Sequence, residues 1–209
     1  MANITKLTEE YISTHPSVKD SLRKGLINYS SLTRLIAKEL NLDKSFDAIL
    51  MACRRYHKKL KKEPGSEKDI INLLKNSKLE VKNRIVAFVL EKDIYFSSLI
   101  DIEKEVKKSS SVMHILEGAT AITVITEEEF YNKIKKLFKN KILKETKDLA
   151  EVILRCPSTL ETVPGVMAYL YSLFGERGIN ITETMSTWTD TLFVIEEKDV
   201  AKVMEMLRF

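Results

Sequence analysis

The stretch that most constrains the fold of this chain runs from Glu151 to Met185, because strand, turn and helix signals follow one another there. The apolar run Glu151 to Cys156 predicts a strand, which Pro157 ends. Pro164-Gly165 predicts a helix start, since proline at the first helical position fixes φ and lacks only an N–H that would have no partner. The apolar residues of this helix keep helical spacing; they are Val166, Met167, Leu170, Leu173 and Phe174.

The second half of this stretch predicts a helix end and a half-buried strand. Gly178 can adopt the left-handed conformation that terminates helices. From Ile179 to Trp188, apolar residues alternate with polar ones. A period of two places one face of a strand in a core and the other face in water. The order of elements is therefore strand, loop, helix and strand.

The segment Thr162 to Ile181, which begins with TVPGV and ends with GINI, resembles an ACT domain. The resemblance continues through Thr184-Met185-Ser186 and the strand that begins at Thr191. It is a resemblance especially to the regulatory ACT domains of aspartate kinases, and it covers residues 149–209. It implies a small βαββαβ ligand-sensing fold that pairs with another of its kind and binds a free amino acid at their interface.

An internal repeat extends this interpretation to the preceding segment. The strand pattern Ile122 to Ile125 recurs seventy residues later as Leu192 to Ile195, and the helical apolar positions that follow recur at the same offset. Two copies of one fold explain such a period. We expect residues 79–147 to form a first ACT-like unit and residues 148–209 a second. The first copy has Glu91 to Ser97 in place of the Pro-Gly turn, so we expect it to be a partner that binds nothing.

The second copy lacks a fourth strand, because the last helix signal runs to Phe209. In a βαββαβ sheet that strand lies beside the first, so Val152 and Leu154 would face an open edge. We expect the first repeat or a second chain to cover them. A tight intrachain pair or a homodimer follows from this expectation.

Residues 1–78 have a different character and predict an all-helical domain. Residues 1–80 contain 16 Lys and Arg against 10 Asp and Glu. Ser31 is expected to cap a helix that extends to Leu40, and a second helix begins near Lys44 after a tight connection at Asn41-Leu42-Asp43. Two helices with so short a connection predict a helix-turn-helix-like arrangement. The fold class is therefore α+β, with a helical domain followed by two ferredoxin-like units.

The second of these helices ends in a basic segment that could neutralise phosphates. Its basic residues are Arg54, Arg55, Lys58, Lys59, Lys61 and Lys62. Phosphate contacts supply affinity without sequence specificity. A recognition helix reads bases from its N-terminal residues, and Asp43 and Asp47 in that position would repel DNA. The alternative is a solvated helix end whose cations suit the macrodipole.

The Pro-Gly turn predicts an anion site. Amides at a helix N-terminus lack intrahelical partners and favour a carboxylate. Gly165 allows close approach, Ser158 and Thr162 offer hydroxyl groups, and Asn180 offers a donor and an acceptor. The alternative is that Pro164-Gly165 only starts a helix.

The ACT resemblance implies a specific set of ligand contacts. They are Glu161, Thr162, Val163, Gly165, Val166, Asn180 and Ile181. Thr162 occupies a position that is often Asp in this family, where the carboxylate would orient the loop or bind an amine. Glu161 could replace that carboxylate, or the amine is bound elsewhere.

Catalysis has little support in the sequence. His15, His57 and His114 have no partner at metal-ligand or triad spacing. We therefore expect neither a catalytic site nor a metal or cofactor.

Cys53 and Cys156 lie in apolar patterns typical of buried free thiols. No apolar run approaches the ~20 residues of a membrane span, so we expect a cytoplasmic protein with no membrane contact.

These features favour an amino-acid-sensing regulatory protein over an enzyme. We expect its effector to be a free amino acid that binds at the ACT–ACT interface. We expect its partner to be a second copy of the chain. Its target is DNA if the basic helix binds phosphates. One alternative is an accessory subunit that binds an amino-acid biosynthetic enzyme. Another is an ACT scaffold without a ligand.

Overall fold

The computed structural model describes residues 3–61, 66–94 and 96–209, and the chain forms two compact units, Met1–Gly65 and Ser66–Phe209. In the first unit the described secondary structure is all helical, and the described strands all lie in the second unit. The boundary between the units precedes the position near residue 78 that the sequence suggested. No helix in these described ranges is both long and apolar enough to cross a bilayer.

The first unit packs four helices around one apolar cluster. They are α1 (Ile4–Thr14), α2 (Pro16–Lys24), α3 (Tyr29–Glu39) and α4 (Phe46–Leu60). The cluster includes Ile12, Leu22, Ile36, Ile49 and Leu60. Each helix therefore contributes an apolar stripe to a shared core.

The helix ends of this unit confirm two predictions and correct a third. Pro16 begins α2, and Asn41 terminates the α3 region with a left-handed φ of 54°. The N-cap of α3 is Asn28, whose Oδ1 accepts from Ser31 N at 3.0 Å. The predicted cap at Ser31 is therefore wrong, because the amide of Asn28 satisfies that N–H one turn earlier.

The second unit alternates helices and strands. Its elements are α5 (Ser66–Lys75), β1 (Lys78–Glu91), α6 (Phe96–Lys108), β2 (Met113–Glu117), β3 (Ala121–Glu127), α7 (Tyr131–Leu137), β4 (Ile142–Arg155), α8 (Val166–Glu176), β5 (Ile181–Ser186), β6 (Asp190–Glu196) and α9 (Val200–Met206). The order strand, helix, strand, strand, helix occurs once from β1 and once from β4. We call these the N-terminal half and the C-terminal half of the sheet.

The six strands form one antiparallel sheet in the order β2-β3-β1-β4-β6-β5. Its two central strands, β1 and β4, have 14 residues each and pair from Lys78 opposite Arg155 to Leu90 opposite Ile142. The neighbouring strands are shorter, so β3 pairs with the end of β1 and β6 with the end of β4. Each central strand therefore serves both halves of the sheet.

The start of β1 covers the edge that the sequence left open. Leu79 pairs with Leu154, and Val81 pairs with Val152. The N-terminal half thus supplies the strand that flanks the first strand of the C-terminal half. This confirms the expectation that the preceding segment of the chain covers these residues.

Register shifts in the β1–β4 pairing let the central strands contribute to both halves of the sheet. The pairing of β1 with β4 shifts between Lys82 and Ile85, and Arg84 has a positive φ of 59° there. One inserted residue reverses which side chains face a given side. Val81 therefore packs against one helix-covered core and Val86 against the other, although they are an odd number of residues apart.

Helices cover the two halves separately. The core of the N-terminal half joins β1 and β3 to α6 and α7 through residues such as Phe88, Leu99 and Ile134. The core of the C-terminal half joins β4 and β6 to α8 and α9 through Val152, Leu170 and Phe193. Helix α5 packs into this second core with Ile70, Leu73 and Leu74.

The sheet curls so that the face opposite the helices closes on itself. Its apolar cluster contains Ile85, Ala87, Ile125, Leu149 and Val194. His114 Nε2 on β2 donates to Glu151 Oε1 on β4 at 2.6 Å, although β3 and β1 lie between these strands. A flat sheet would separate them by about 14 Å, three strand spacings. Glu151 is fully buried, and its Oε2 has no hydrogen-bond partner among the described residues.

Both cysteines are free and buried, as expected. Burial raises the pKa of the Cys53 thiol to about 11. Burial also raises the pKa of Cys156. Both side chains therefore act as small apolar groups in their cores.

The His114–Glu151 pair generates a test of the curled sheet. His114→Leu leaves a buried carboxylate without its partner and should lower the free energy of unfolding by roughly 3 kcal/mol. Replacing both residues by leucine removes the buried polar pair and should recover most of that loss. Urea unfolding monitored by circular dichroism measures both variants, and equal losses in the single and double variants would contradict the interpretation.

Candidate functional site

The loop that follows β4 carries most of the predicted ligand residues. It begins with a short 3₁₀ turn, Ser158–Glu161, in which Leu160 is buried. Thr162 Oγ1 donates to Thr159 O at 3.0 Å, and Val163 N donates to the same carbonyl at 3.1 Å. The Thr162 hydroxyl is thus used to hold the loop.

The start of α8 exposes the amides on which the predicted anion site depends. Gly165 is the N-cap residue, with a left-handed φ of 90°, and no side chain in the described ranges caps it. Tyr169 N donates to Gly165 O at 2.9 Å, so the amides of Val166, Met167 and Ala168 precede the first helical bond. Pro164 lies just before the cap, which corrects the prediction that it occupies the first helical position. The helix dipole favours an anion at these amides.

A cavity of about 550 Å³ lies at this helix start. Its lining combines the loop, the first turn of α8 and the β5–β6 hairpin. The lining residues are Leu160, Glu161, Val163, Gly165, Val166, Met167, Ala168, Ser186, Thr187 and Trp188. Four of the predicted residues therefore meet in one cavity: Glu161, Val163, Gly165 and Val166.

The β5–β6 hairpin is the part of the site that the sequence did not predict. Its turn closes through Thr187 N donating to Asp190 O at 2.8 Å. Cys156 N donates to Thr189 O at 2.8 Å and fixes the hairpin to the end of β4. Trp188 is 66% exposed and lies at the cavity rim. The sequence feature that could have indicated the contribution of this hairpin to the cavity is Trp188, a large aromatic residue in the turn.

The remaining predicted residues do not line this cavity. Ser158, Thr162 and Pro164 lie in the exposed part of the loop. Asn180 and Ile181 lie beyond the other end of α8 and line separate cavities of about 460 and 380 Å³. Because α8 has 11 residues, its two ends lie about 16 Å apart.

The end of α8 explains this placement of Asn180. Gly178 has a left-handed φ of 64°, as predicted, and Ile179 N donates to Phe174 O at 3.0 Å. Gly178 N donates to Gly175 O at 3.1 Å, which completes a Schellman motif. The chain therefore leaves the helix directly into β5 with Asn180 exposed.

The charged group in the cavity lining is the carboxylate of Glu161. It lies near the positive end of α8, and the lining contains no Lys or Arg among the described residues. The cavity thus presents amide donors, one carboxylate and apolar side chains. Such a set suits a small molecule that carries both an anionic and a cationic group.

The basic segment of α4 lies on the surface of the first unit. Arg54, Arg55, Lys58, Lys59 and Lys61 are exposed, and Lys62 lies outside the described residues. The Arg54 guanidinium lies 5.9 Å from the centre of the Tyr29 ring. Lys59 Nζ lies 3.9 Å from Glu9 Oε2. Asp43 and Asp47 are exposed at the start of the helix, as the sequence predicted.

The described part of the chain contains no candidate metal-binding cluster. No group of three or more His, Cys, Asp and Glu side chains there could hold a metal ion. His114 is used in the curled sheet. His57 Nδ1 is hydrogen-bonded to the Tyr29 hydroxyl in the helical unit.

Comparison with known proteins gives structural matches without sequence matches. No family model matches the sequence, and neither does any curated protein. An aspartate kinase from Clostridium acetobutylicum matches 62% of this chain and 33% of its own chain, at 14% identity and a TM-score of 0.51. The regulatory subunit of aspartate kinase from Thermus thermophilus is a second match. The matched region covers 62% of this chain and 92% of that subunit, at 12% identity and a TM-score of 0.48.

A third match is aspartokinase III of E. coli in complex with lysine and aspartate. It covers 62% of this chain and 31% of its own, at 10% identity and a TM-score of 0.46. This chain thus spans about a third of the Clostridium enzyme. The fold is ACT-like. The resemblance read from the sequence is confirmed at the level of the fold.

The two glycines of α8 generate a matched test of the helix start. Gly165→Ala forces a side chain into a left-handed conformation and should destabilise the protein by about 1–2 kcal/mol. Gly175→Ala adds a methyl group that meets no atom within 4 Å apart from its chain neighbours and the backbone of its own helix, and it should stabilise the protein by about 0.5–1 kcal/mol. Urea unfolding of both variants provides the measurement. A neutral Gly165→Ala variant would mean that the cap conformation is not required.

Proposed function

We propose that this chain is a regulatory protein that senses a free amino acid and is not an enzyme. The observation that carries the proposal is the start of α8, where amides without a side-chain cap among the described residues open into the 550 Å³ cavity. A carboxylate is the group that such amides bind best. The ACT-like fold is compatible with this role.

The cavity accounts for each part of an amino acid. The α-carboxylate binds the amides of Val166 and Met167, and Glu161 supplies negative charge for the ammonium group. The ligand side chain meets Leu160 and Val163, with Trp188 at the rim. Burial of apolar area there adds affinity at about 25 cal/mol per Å².

A second copy completes the site in this proposal. Within one chain, Asn180 and Gly165 lie at opposite ends of α8, so one small molecule does not reach both. A ligand that contacts both therefore takes them from two ACT-like units. We propose that residues 79–147 and 148–209 are two such units, and that a homodimer places Asn180 of one chain beside the loop of the other.

Ligand-dependent pairing offers a route to regulation. A ligand shifts an equilibrium between two arrangements by its differential affinity for them. The helical unit is the element that would transmit the change. Its exposed basic residues on α4 favour DNA as the target. The acidic start of that helix opposes DNA, and the alternative target is an amino-acid biosynthetic enzyme.

The amino-acid proposal is tested by a thermal-shift screen against the proteinogenic amino acids. A ligand at a hundred times its Kd adds about 2.7 kcal/mol, which raises Tm by several degrees. Gly165→Asp places a carboxylate at the amides and should abolish the shift relative to its own midpoint. Ser172→Asp, at an exposed position of α8 that lines neither this cavity nor those at Asn180, should retain it. The absence of any shift in the parent protein would overturn the proposal.

The DNA proposal is tested by retention on duplex DNA over a range of salt concentrations. Replacing Arg54, Arg55, Lys58 and Lys59 with glutamine should abolish retention, because each neutralised phosphate contributes to the salt dependence. Replacing Lys104, Lys107, Lys108 and Lys139 removes the same charge from the sheet-bearing unit. Equal losses in the two variants, or no retention of the parent at low salt, would exclude a role for α4 in binding DNA.

A further inference from the structure

The space between the strand-to-helix loop and the following hairpin is filled differently in the two halves of the sheet. In the N-terminal half, Lys92 directly follows β1. Its Nζ donates to Gly118 O at 3.0 Å and to Ala119 O at 3.4 Å, and it pairs with Glu117 Oε1 at 3.3 Å. The β2–β3 hairpin of this half thus holds a primary ammonium group on two backbone carbonyls.

The two hairpins correspond residue by residue. The β2–β3 turn closes through Gly118 N donating to Ala121 O at 2.9 Å. The β5–β6 turn closes through Thr187 N donating to Asp190 O at 2.8 Å. Gly118 and Ala119 therefore correspond to Thr187 and Trp188, an offset of 69 residues and not the seventy that the sequence pattern suggested. Thr187 and Trp188 both line the 550 Å³ cavity.

The position of Lys92 is taken by Cys156 in the C-terminal half. Lys92 follows Glu91, which pairs with Ala121, and Cys156 follows Arg155, which pairs with Asp190. The Cys156 side chain is buried in the core beneath α8. The C-terminal half therefore has a cavity beside its hairpin, where the N-terminal half has an ammonium group.

We infer that the backbone carbonyls of Thr187 and Trp188 bind the ammonium group of the ligand, in the way that Gly118 and Ala119 bind Lys92. This inference rests on the proposed function and specifies the ligand class. The ligand carries a free primary ammonium group at the hairpin and a carboxylate at the start of α8. The site thereby selects unmodified amino acids over α-hydroxy acids, which keep the carboxylate but lack the cation.

The two carbonyls can be redirected without changing the length of the hairpin. Neither Trp188 nor Thr189 has a positive φ, and the same holds for Ala119 and Thr120. An Asn-Gly pair favours a type I′ turn, which needs a positive φ at both positions and turns the central carbonyl to the opposite side. The double variant Trp188→Asn/Thr189→Gly therefore removes one ammonium acceptor from the cavity.

The experiment is isothermal titration of the parent protein with matched pairs of amino acid and hydroxy acid. Suitable pairs are alanine with lactate, leucine with 2-hydroxyisocaproate and phenylalanine with 3-phenyllactate. Each amino acid that binds should have a Kd at least tenfold lower than its hydroxy acid. In Trp188→Asn/Thr189→Gly this ratio should fall below threefold.

Two controls distinguish the loss of the Trp188 carbonyl from the loss of its indole and from a general effect of the Asn-Gly turn. Ala119→Asn/Thr120→Gly makes the same change in the N-terminal half and should keep the parental ratio. Trp188→Ala removes the indole but keeps the turn, and it should keep the ratio as well. Circular dichroism confirms that each variant is folded before titration.

The outcomes distinguish this inference from the proposed function. Equal affinity of amino acids and hydroxy acids for the parent would overturn the inference and leave carboxylate sensing in place. An unchanged ratio in Trp188→Asn/Thr189→Gly would also overturn it, because the ammonium would then bind elsewhere. If no compound of either class binds, the proposed function fails together with the inference.

Discussion

The antiparallel pairing of β1 with β4 is the constraint on which the second unit depends. Each strand contributes its first part to one half of the sheet and its last part to the other. Because side chains alternate across a strand, Val81 and Val86 would lie on opposite faces of a regular strand, yet both face helix-covered cores. The bulges near Arg84 and Asp148, both with a positive φ, change the register within these strands.

This arrangement also positions the candidate site. The loop that carries Glu161 follows the end of β4, and that end is held between β1 and β6. The hairpin on the far side of the cavity begins and ends in β5 and β6. Cys156 N and Thr189 O link the two at the strand end. The cavity therefore lies between two segments that the sheet fixes relative to each other, with the helix start of α8 between them.

Local signals in the sequence predicted the parts of this site that are close in the chain. The apolar spacing of α8, the left-handed Gly178 and the amides at Gly165 follow from short-range chemistry. The loop residues Glu161, Val163 and Val166 were assigned by the family resemblance. The hairpin contribution was missed, because Ser186 and Thr187 approach the loop only through strand pairing over some thirty residues. Asn180 was grouped with the loop because its side chain offers a donor and an acceptor and because of the family resemblance, although within one chain the length of α8 separates them.

Other differences have similarly local reasons. A serine and an asparagine compete as the cap of α3, and only the backbone conformation decides that Asn28 takes the role. The His114–Glu151 pair could not be predicted, because it depends on curvature that brings β2 over β4. The covered edge at Val152 was predictable, since an exposed apolar strand edge must be paired. The boundary at Gly65 was not, because α5 looks helical from its sequence whichever core it joins.

The shared central strands have a consequence for how the sheet tolerates truncation. Each half completes the hydrogen-bonded ladder of the other through the β1–β4 pairing, so removing either half would leave a central strand with an unpaired edge. An unpaired edge is a template for pairing with another chain. The smallest part of this sheet that can be isolated without such an edge therefore contains both halves.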